Sequence, residues 1–140
     1  MYSSIIYVPT TLRENDFPKW IESQGFECFK LNQKGYQDMA KHLTIDGEYG
    51  DYKDILEKVA LALEFIGHPD FVLLYNGKAI LCEFKSATDA LSIEQIKFFD
   101  SFYQLPLSIA VATENKLLKY NAIDTIKYGG VDTKDYSHLF

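Results

Sequence analysis

Asn76 and Gly77 stand between two apolar runs, FVLLY and AILCEF, and that arrangement leaves the backbone few paths. A two-residue turn of type I′ needs positive φ at both positions, which Asn and Gly adopt at least cost, and its twist matches that of paired strands. Residues 70–75 and 79–85 are therefore expected to form an antiparallel hairpin. The turn closes Tyr75 on Lys78. Counting outward from that pair sets Asp70 opposite Glu83, within side-chain reach.

Alternation then sorts the charges. Glu83 and Lys85 point to one face of their strand, about 6 to 7 Å apart along it, and Ile80, Cys82 and Phe84 point to the other. Lys78 lies beside the turn, where a charge is ordinary. Asp70, Glu83 and Lys85 instead gather toward the open end of an apolar hairpin. Two carboxylates held together in a partly apolar setting are costly unless a cation joins them. Two arrangements answer that cost. One is a plain salt bridge with Lys85. The other is a hard divalent ion, and magnesium needs only one or two carboxylates because it keeps several waters. In the second arrangement Lys85 is placed to orient or deprotonate a water, or to offset charge on a phosphate.

The rest of the chain supplies a layered frame for this hairpin. Residues 5–8 read as a short strand or a packed arm. A helix follows and ends near Ser23, with Gly25 as its stop signal. Its start has two readings: a cap at Thr10 or Thr11, or a cap at Asn15 or Asp16 that puts Pro18 in the first turn, where proline is tolerated, and leaves Glu14 just ahead of the helix. FECFKL, residues 26–31, alternates as a first core strand. Residues 36–43 read as a short helix, 44–52 as a turn-rich link, and 51–66 as a longer helix with Ile55, Val59, Leu63 and Ile66 on its apolar stripe. After the hairpin, Ser92 and Gln95 form a capping-box pattern that starts another helix, with Ile96, Phe99 and Phe102 or Tyr103 facing inward. LSIAVAT, residues 107–113, is a near-continuous apolar strand suited to cover on both faces. Residues 116–120 read as a strand that pairs back. The order of helix, strand, two helices, hairpin, helix and strand predicts an α/β layer architecture on a mixed sheet, in one domain spanning residues 1–140.

Composition narrows the function classes. The chain is 47% apolar, which argues against intrinsic disorder, and it has no apolar run long enough to span a bilayer. The N-terminal residues lack the basic-then-apolar pattern of a signal peptide. Cys28 and Cys82 read as small buried thiols of a reducing, cytoplasmic setting, with a structural disulfide as the alternative. His42, His68 and His138 are too scattered for a zinc site. A net charge of −6 and a single arginine, Arg13, argue against nonspecific nucleic-acid binding by the whole surface, while thirteen lysines leave room for one basic face.

Pro69-Asp70, followed by Glu83-Phe84-Lys85, resembles the PD-(D/E)XK nuclease superfamily, most closely its Holliday junction resolvase-like and VRR-NUC branches. The resemblance covers residues 12–31 and 67 to about 120, roughly half of the chain. It implies a restriction-endonuclease-like core, with a mixed central sheet flanked by helices, in which residues of about 32–66 form a helical insertion. It assigns Asp70 and Glu83 to a Mg²⁺ ion, with Mn²⁺ as a substitute, and gives Lys85 the activation of water. Glu14, upstream of Gly25-Phe26, corresponds to the further metal-binding and catalytic glutamate that such proteins carry in the preceding helix. Gln95 corresponds to the supporting polar residue on the following helix. The implied activity is Mg-dependent hydrolysis of DNA phosphodiesters, on branched or structured DNA, by a two-fold homodimer acting away from membranes. The alternative is a nuclease-fold module that binds nucleic acid or protein and lacks catalysis. For contacts to DNA, Ser86 directly after Lys85 and the lysines Lys41, Lys53, Lys58 and Lys97 are the candidates. His68, beside the Pro-Asp pair, and Glu64 are reserve ligands.

Overall fold

Among the described residues, the alternation of apolar and polar runs resolves into a five-stranded sheet with helices on both faces. The computed structural model describes residues 3–44, 50–112 and 114–115. In chain order these residues form β1 (Ser3–Val8), α1 (Phe17–Ser23), β2 (Glu27–Lys30), α2 (Gln33–Leu43), α3 (Lys53–Ala62), β3 (Phe71–Tyr75), β4 (Lys78–Lys85), α4 (Ile93–Ser101) and β5 (Leu107–Ala112). The sheet order is β1-β5-β4-β3-β2. β3 runs antiparallel to both β2 and β4, whereas β5 is parallel to both β4 and β1. The sheet is therefore mixed, and the expected α/β architecture holds.

The hairpin carries the predicted register, with Tyr75 paired to Lys78 and Phe71 paired to Cys82. Asn76 and Gly77 both take positive φ, as the turn requires. Two apolar clusters cover the sheet. On one face α1 packs Phe17 and Ile21 against Phe71, Leu73, Ile80, Cys82 and Phe84. On the other, Met39 and Leu43 of α2, Leu56, Val59 and Ala62 of α3, and Phe98 and Phe99 of α4 pack on Val72, Leu74, Leu81, Leu107 and Ile109. α2 and α3, from the region of residues 32–66, thus supply two of the three helices packed on this face.

Several local expectations are corrected by the tertiary arrangement. β2 is an edge strand whose residues are only exposed or half-buried, so its alternation does not mark a core position. α3 ends at Ala62 and turns its Leu56, Val59 and Ala62 face inward; Leu63 is half-buried and Ile66 is 83% exposed. Of the expected stripe, Val59 is buried and Ile55 and Leu63 pack at the edge of the core, while Ile66 lies outside it. On α4 the inward residues are Phe98, Phe99 and Phe102, and Tyr103 is 63% exposed. The first helix begins with Phe17, Pro18 occupies its first turn, and Glu14 lies in a 3-10 turn ahead of it. Residues 5–8 are part of a strand, β1, and not a packed arm. The expected pairing of residues 116–120 lies outside the described residues, as does most of the link around residues 45–49. No helix among the described residues is long and apolar enough to cross a membrane.

Candidate functional site

Asp70 sits one residue before β3, where its carbonyl accepts a hydrogen bond from the Leu31 N–H at 2.7 Å. This backbone link ties the end of β2 to the start of the hairpin. The Asp70 side chain reaches across to the next strand, and its Oδ2 accepts from the Phe84 N–H at 3.3 Å. The continuing register places Asp70 opposite Glu83. Glu83 and Lys85 lie on the face of β4 that α4 covers, while Cys82 and Phe84 turn toward α1.

Glu83 is 2% exposed and Lys85 9% exposed, unusual burial for either residue type. The Lys85 Nζ lies 3.5 Å from Glu83 Oε1. The same oxygen accepts from the Gln95 Nε2 at 2.8 Å. Gln95 is itself held by the helix start, because its Oε1 accepts from the Ser92 N–H at 2.9 Å and Ser92 Oγ accepts from the Gln95 N–H at 3.2 Å. The capping box expected from sequence therefore does two jobs. It closes the helix N-terminus and it aims the Gln95 amide at a buried carboxylate.

The second oxygen of Glu83 is buried without a hydrogen-bond partner among the described residues. Burial and the nearby charge of Asp70 push the Glu83 carboxyl up to about 8, against an opposing pull from Lys85. An acid so raised holds its proton at neutral pH, the mark of like charges crowded into one partly dry place. Glu14 approaches the same place from the α1 side of the sheet. Partial burial, then the charge of Asp70, raises its carboxyl, and Lys30 and Lys85 oppose that shift. Asp70 thus lies at the seam between Glu14 on one face and Glu83 on the other.

Phe17 explains how Glu14 arrives there. Its ring packs on Phe71 at 5.2 Å and on Phe84 at 5.4 Å, the residues next to Asp70 and between Glu83 and Lys85. Glu14 is one turn ahead of this anchor. Among the described residues no three His, Cys, Asp or Glu side chains form a ready-made cage for an ion. The donor set is two facing carboxylates with Glu14 at the rim. That set, with one buried oxygen unpartnered, fits a hard cation that retains most of its waters, and it does not fit zinc.

The remaining expected residues fall outside this centre. Ser86 is half-buried and turns the chain away from β4: its N–H donates to Asp89 Oδ2 at 3.1 Å and its carbonyl accepts from Asn115 Nδ2. Lys41, Lys53 and Lys97 are exposed on α2, α3 and α4, and Lys58 pairs with Asp54 at 2.9 Å. His68 folds back on its own turn, with Nδ1 2.9 Å from the Pro69 carbonyl oxygen. Glu64 is exposed in the turn after α3. Cys28 and Cys82 are free thiols, both raised by burial, Cys28 to about 12. They lie on β2 and β4 with β3 between them, too far apart for a disulfide.

Sequence reasoning missed two contributors. Gly67, with φ of +83°, passes so close to α4 that an added Cβ would lie 2.4 Å from the Glu94 carbonyl. It had a local signal as a helix stop and none for this contact. Lys30, at the end of β2, shares a cleft of about 260 Å³ with Glu14, Asn15, Pro18, Cys28 and Phe71. No turn links β2 to β3 directly, so nothing local to the sequence sets the pairing that brings Lys30 there. No protein-family model, curated protein or solved structure matches the chain.

Proposed function

We propose that this chain is a Mg²⁺-dependent endonuclease of the PD-(D/E)XK type, hydrolysing DNA phosphodiester bonds on branched or structured substrates. The observation that carries the reading is the buried Glu83 carboxylate facing Asp70, with one oxygen shared by Lys85 and Gln95 and the other unpartnered among the described residues. A salt bridge alone leaves that arrangement unexplained, because Asp70 and Glu83 crowd two acids into one place and the single amine of Lys85 does not offset both. The mixed sheet with helices on both faces agrees with a restriction-endonuclease-like core.

Asp70 and Glu83 would hold the ion, with Glu14 completing its shell from the opposite face. When bound, Mg²⁺ supplies Lewis-acid polarisation of a phosphoryl oxygen and lowers the pKa of a water. Lys85 positions the attacking water and offsets negative charge as the water adds to phosphorus and the bond to the leaving sugar oxygen breaks. Gln95 fixes Glu83 Oε1, and through it the distance to Lys85. The Phe84 N–H holds Asp70 in the rotamer that faces the same space. A two-fold homodimer would deliver the paired cuts that a four-way junction requires.

The test is incubation of labelled four-way junctions, flaps, duplex and single strands with Mg²⁺ or Mn²⁺, beside a Lys85→Ala control. Cleavage by the wild type and its loss in the control is the expected result. Equal residual cleavage in both, or none in either, refutes the assignment. The rival reading is a nuclease-fold module that binds nucleic acid or protein and lacks catalysis. Calorimetric titration with Mg²⁺ separates the two: absence of binding supports the rival.

A further inference from the structure

Lys30 is a second cation at this carboxylate cluster, on the opposite face of the sheet from Lys85. Its strand neighbour is Phe71, one strand spacing away, about 4.8 Å, and the next backbone link joins Leu31 to Asp70 at 2.7 Å. The residue is exposed at the sheet edge, opens onto the cleft that also contains Glu14, and makes no ion pair among the described residues. Lys85 is buried behind Glu83, so it serves only a group already seated in the site.

A polyanion approaching Asp70, Glu14 and Glu83 meets negative charge first. The whole chain carries a net charge of −6, so the surface offers no general attraction. An exposed lysine at the rim, without an ion pair among the described residues and sharing one cleft with Glu14, is suited to meet that approach. We propose that Lys30 is a phosphate-binding residue that holds the nucleic-acid backbone in the Glu14 cleft, beside the group held at Asp70 and Glu83. This rests on the nuclease reading for its ligand class and extends the site across the sheet edge. Backbone phosphate, and not a base, is the partner, because a single ammonium is a point charge without the fork needed to read base edges.

The test measures binding by fluorescence anisotropy of labelled duplex and four-way junction, in Mg²⁺, over a range of salt. The proteins are the Lys85→Ala variant and the same variant with Lys30→Ala, Lys30→Arg or Lys34→Ala. Loss of one phosphate contact lowers the slope of log affinity against log salt by about 0.9 on duplex, with a several-fold loss of affinity on every sequence. Lys30→Ala is expected to show that change, while Lys30→Arg keeps the slope and Lys34→Ala, an exposed residue paired with Asp38, leaves it unchanged. An unchanged slope in Lys30→Ala, an arginine no better than alanine, or no binding by the background protein each overturns the proposal. Cleavage is scored separately with wild-type protein. A lost slope without any cleavage removes the nuclease reading and leaves the clamp standing; cleavage with an unchanged slope removes only the clamp.

Discussion

Asp70 and Glu83 face each other across the β3–β4 hairpin at the end remote from the Asn76-Gly77 turn, and Asp70 helps raise the Glu83 carboxyl to about 8. Under the proposed function the pair is one unit. Asp70→Asn keeps the shape and can still accept from the Phe84 N–H, but removes one charge from the ion site. Cleavage is expected to fall by at least about a hundredfold, with Mg²⁺ heat in calorimetry lost and the thermal midpoint maintained or raised. Full cleavage by this variant would refute the assigned role.

The raised Glu83 carboxyl sets a pH dependence. The unfolded group titrates near its ordinary 4.5 and the folded one near about 8, so between these values the native state holds the extra proton. Stability of the metal-free protein is then greatest below 4.5 from this group and falls as pH rises toward 8, by up to about 1.4 kcal/mol per unit. Urea unfolding at pH 5 and pH 8 should show that loss, and Glu83→Gln should flatten it. Mg²⁺ binding requires the ionised form, so metal affinity and cleavage should climb across the same window. A flat profile in both would contradict the burial of this acid.

Gln95 holds Glu83 Oε1 from the first turn of α4. Gln95→Ala removes that bond and one half of the capping box. Ser92→Ala removes the other half, at about 1 kcal/mol of stability. The expected kinetic result for Gln95→Ala is a 10–100-fold loss of kcat with KM little changed. Ser92→Ala should retain more activity, because it leaves the Gln95 amide able to reach Glu83. Equal losses in the two variants would point to helix stability as the only cause.

Gly67 contacts the Glu94 backbone where α4 begins. Gly67→Ala meets both a positive φ and a carbonyl 2.4 Å from the new Cβ, so the loop or α4 must shift. A destabilisation of more than about 1 kcal/mol in urea unfolding is expected, together with reduced cleavage because Gln95 moves with its helix. An alanine variant as stable and active as wild type would show the close approach to be absent in solution.

The two thiols should stay unlinked, and Cys82 should behave as a buried group. Reducing agent is expected to leave the thermal midpoint unchanged, since Cys28 and Cys82 have β3 between them. Modification by a thiol reagent should be slow for Cys82 in the native protein and rapid in denaturant. A reductant-dependent midpoint would reveal a cross-link that this strand order forbids.

Much of the centre was written in local pattern. The Asn76-Gly77 turn set the register of Asp70 and Glu83, strand alternation put Glu83 and Lys85 on one face, and Ser92 with Gln95 announced the helix cap. Each of these depends on residues a few positions apart, whose steric and hydrogen-bonding preferences act wherever the chain is. What only the tertiary structure decided are the meetings between distant elements: β2 at a sheet edge instead of its middle, the inward face of α3, Glu14 carried to Asp70 by the Phe17 anchor, Lys30 at the rim, and Gly67 against α4. Those contacts depend on how whole layers pack, and close packing is a property of every element at once, so no short stretch of sequence carries it.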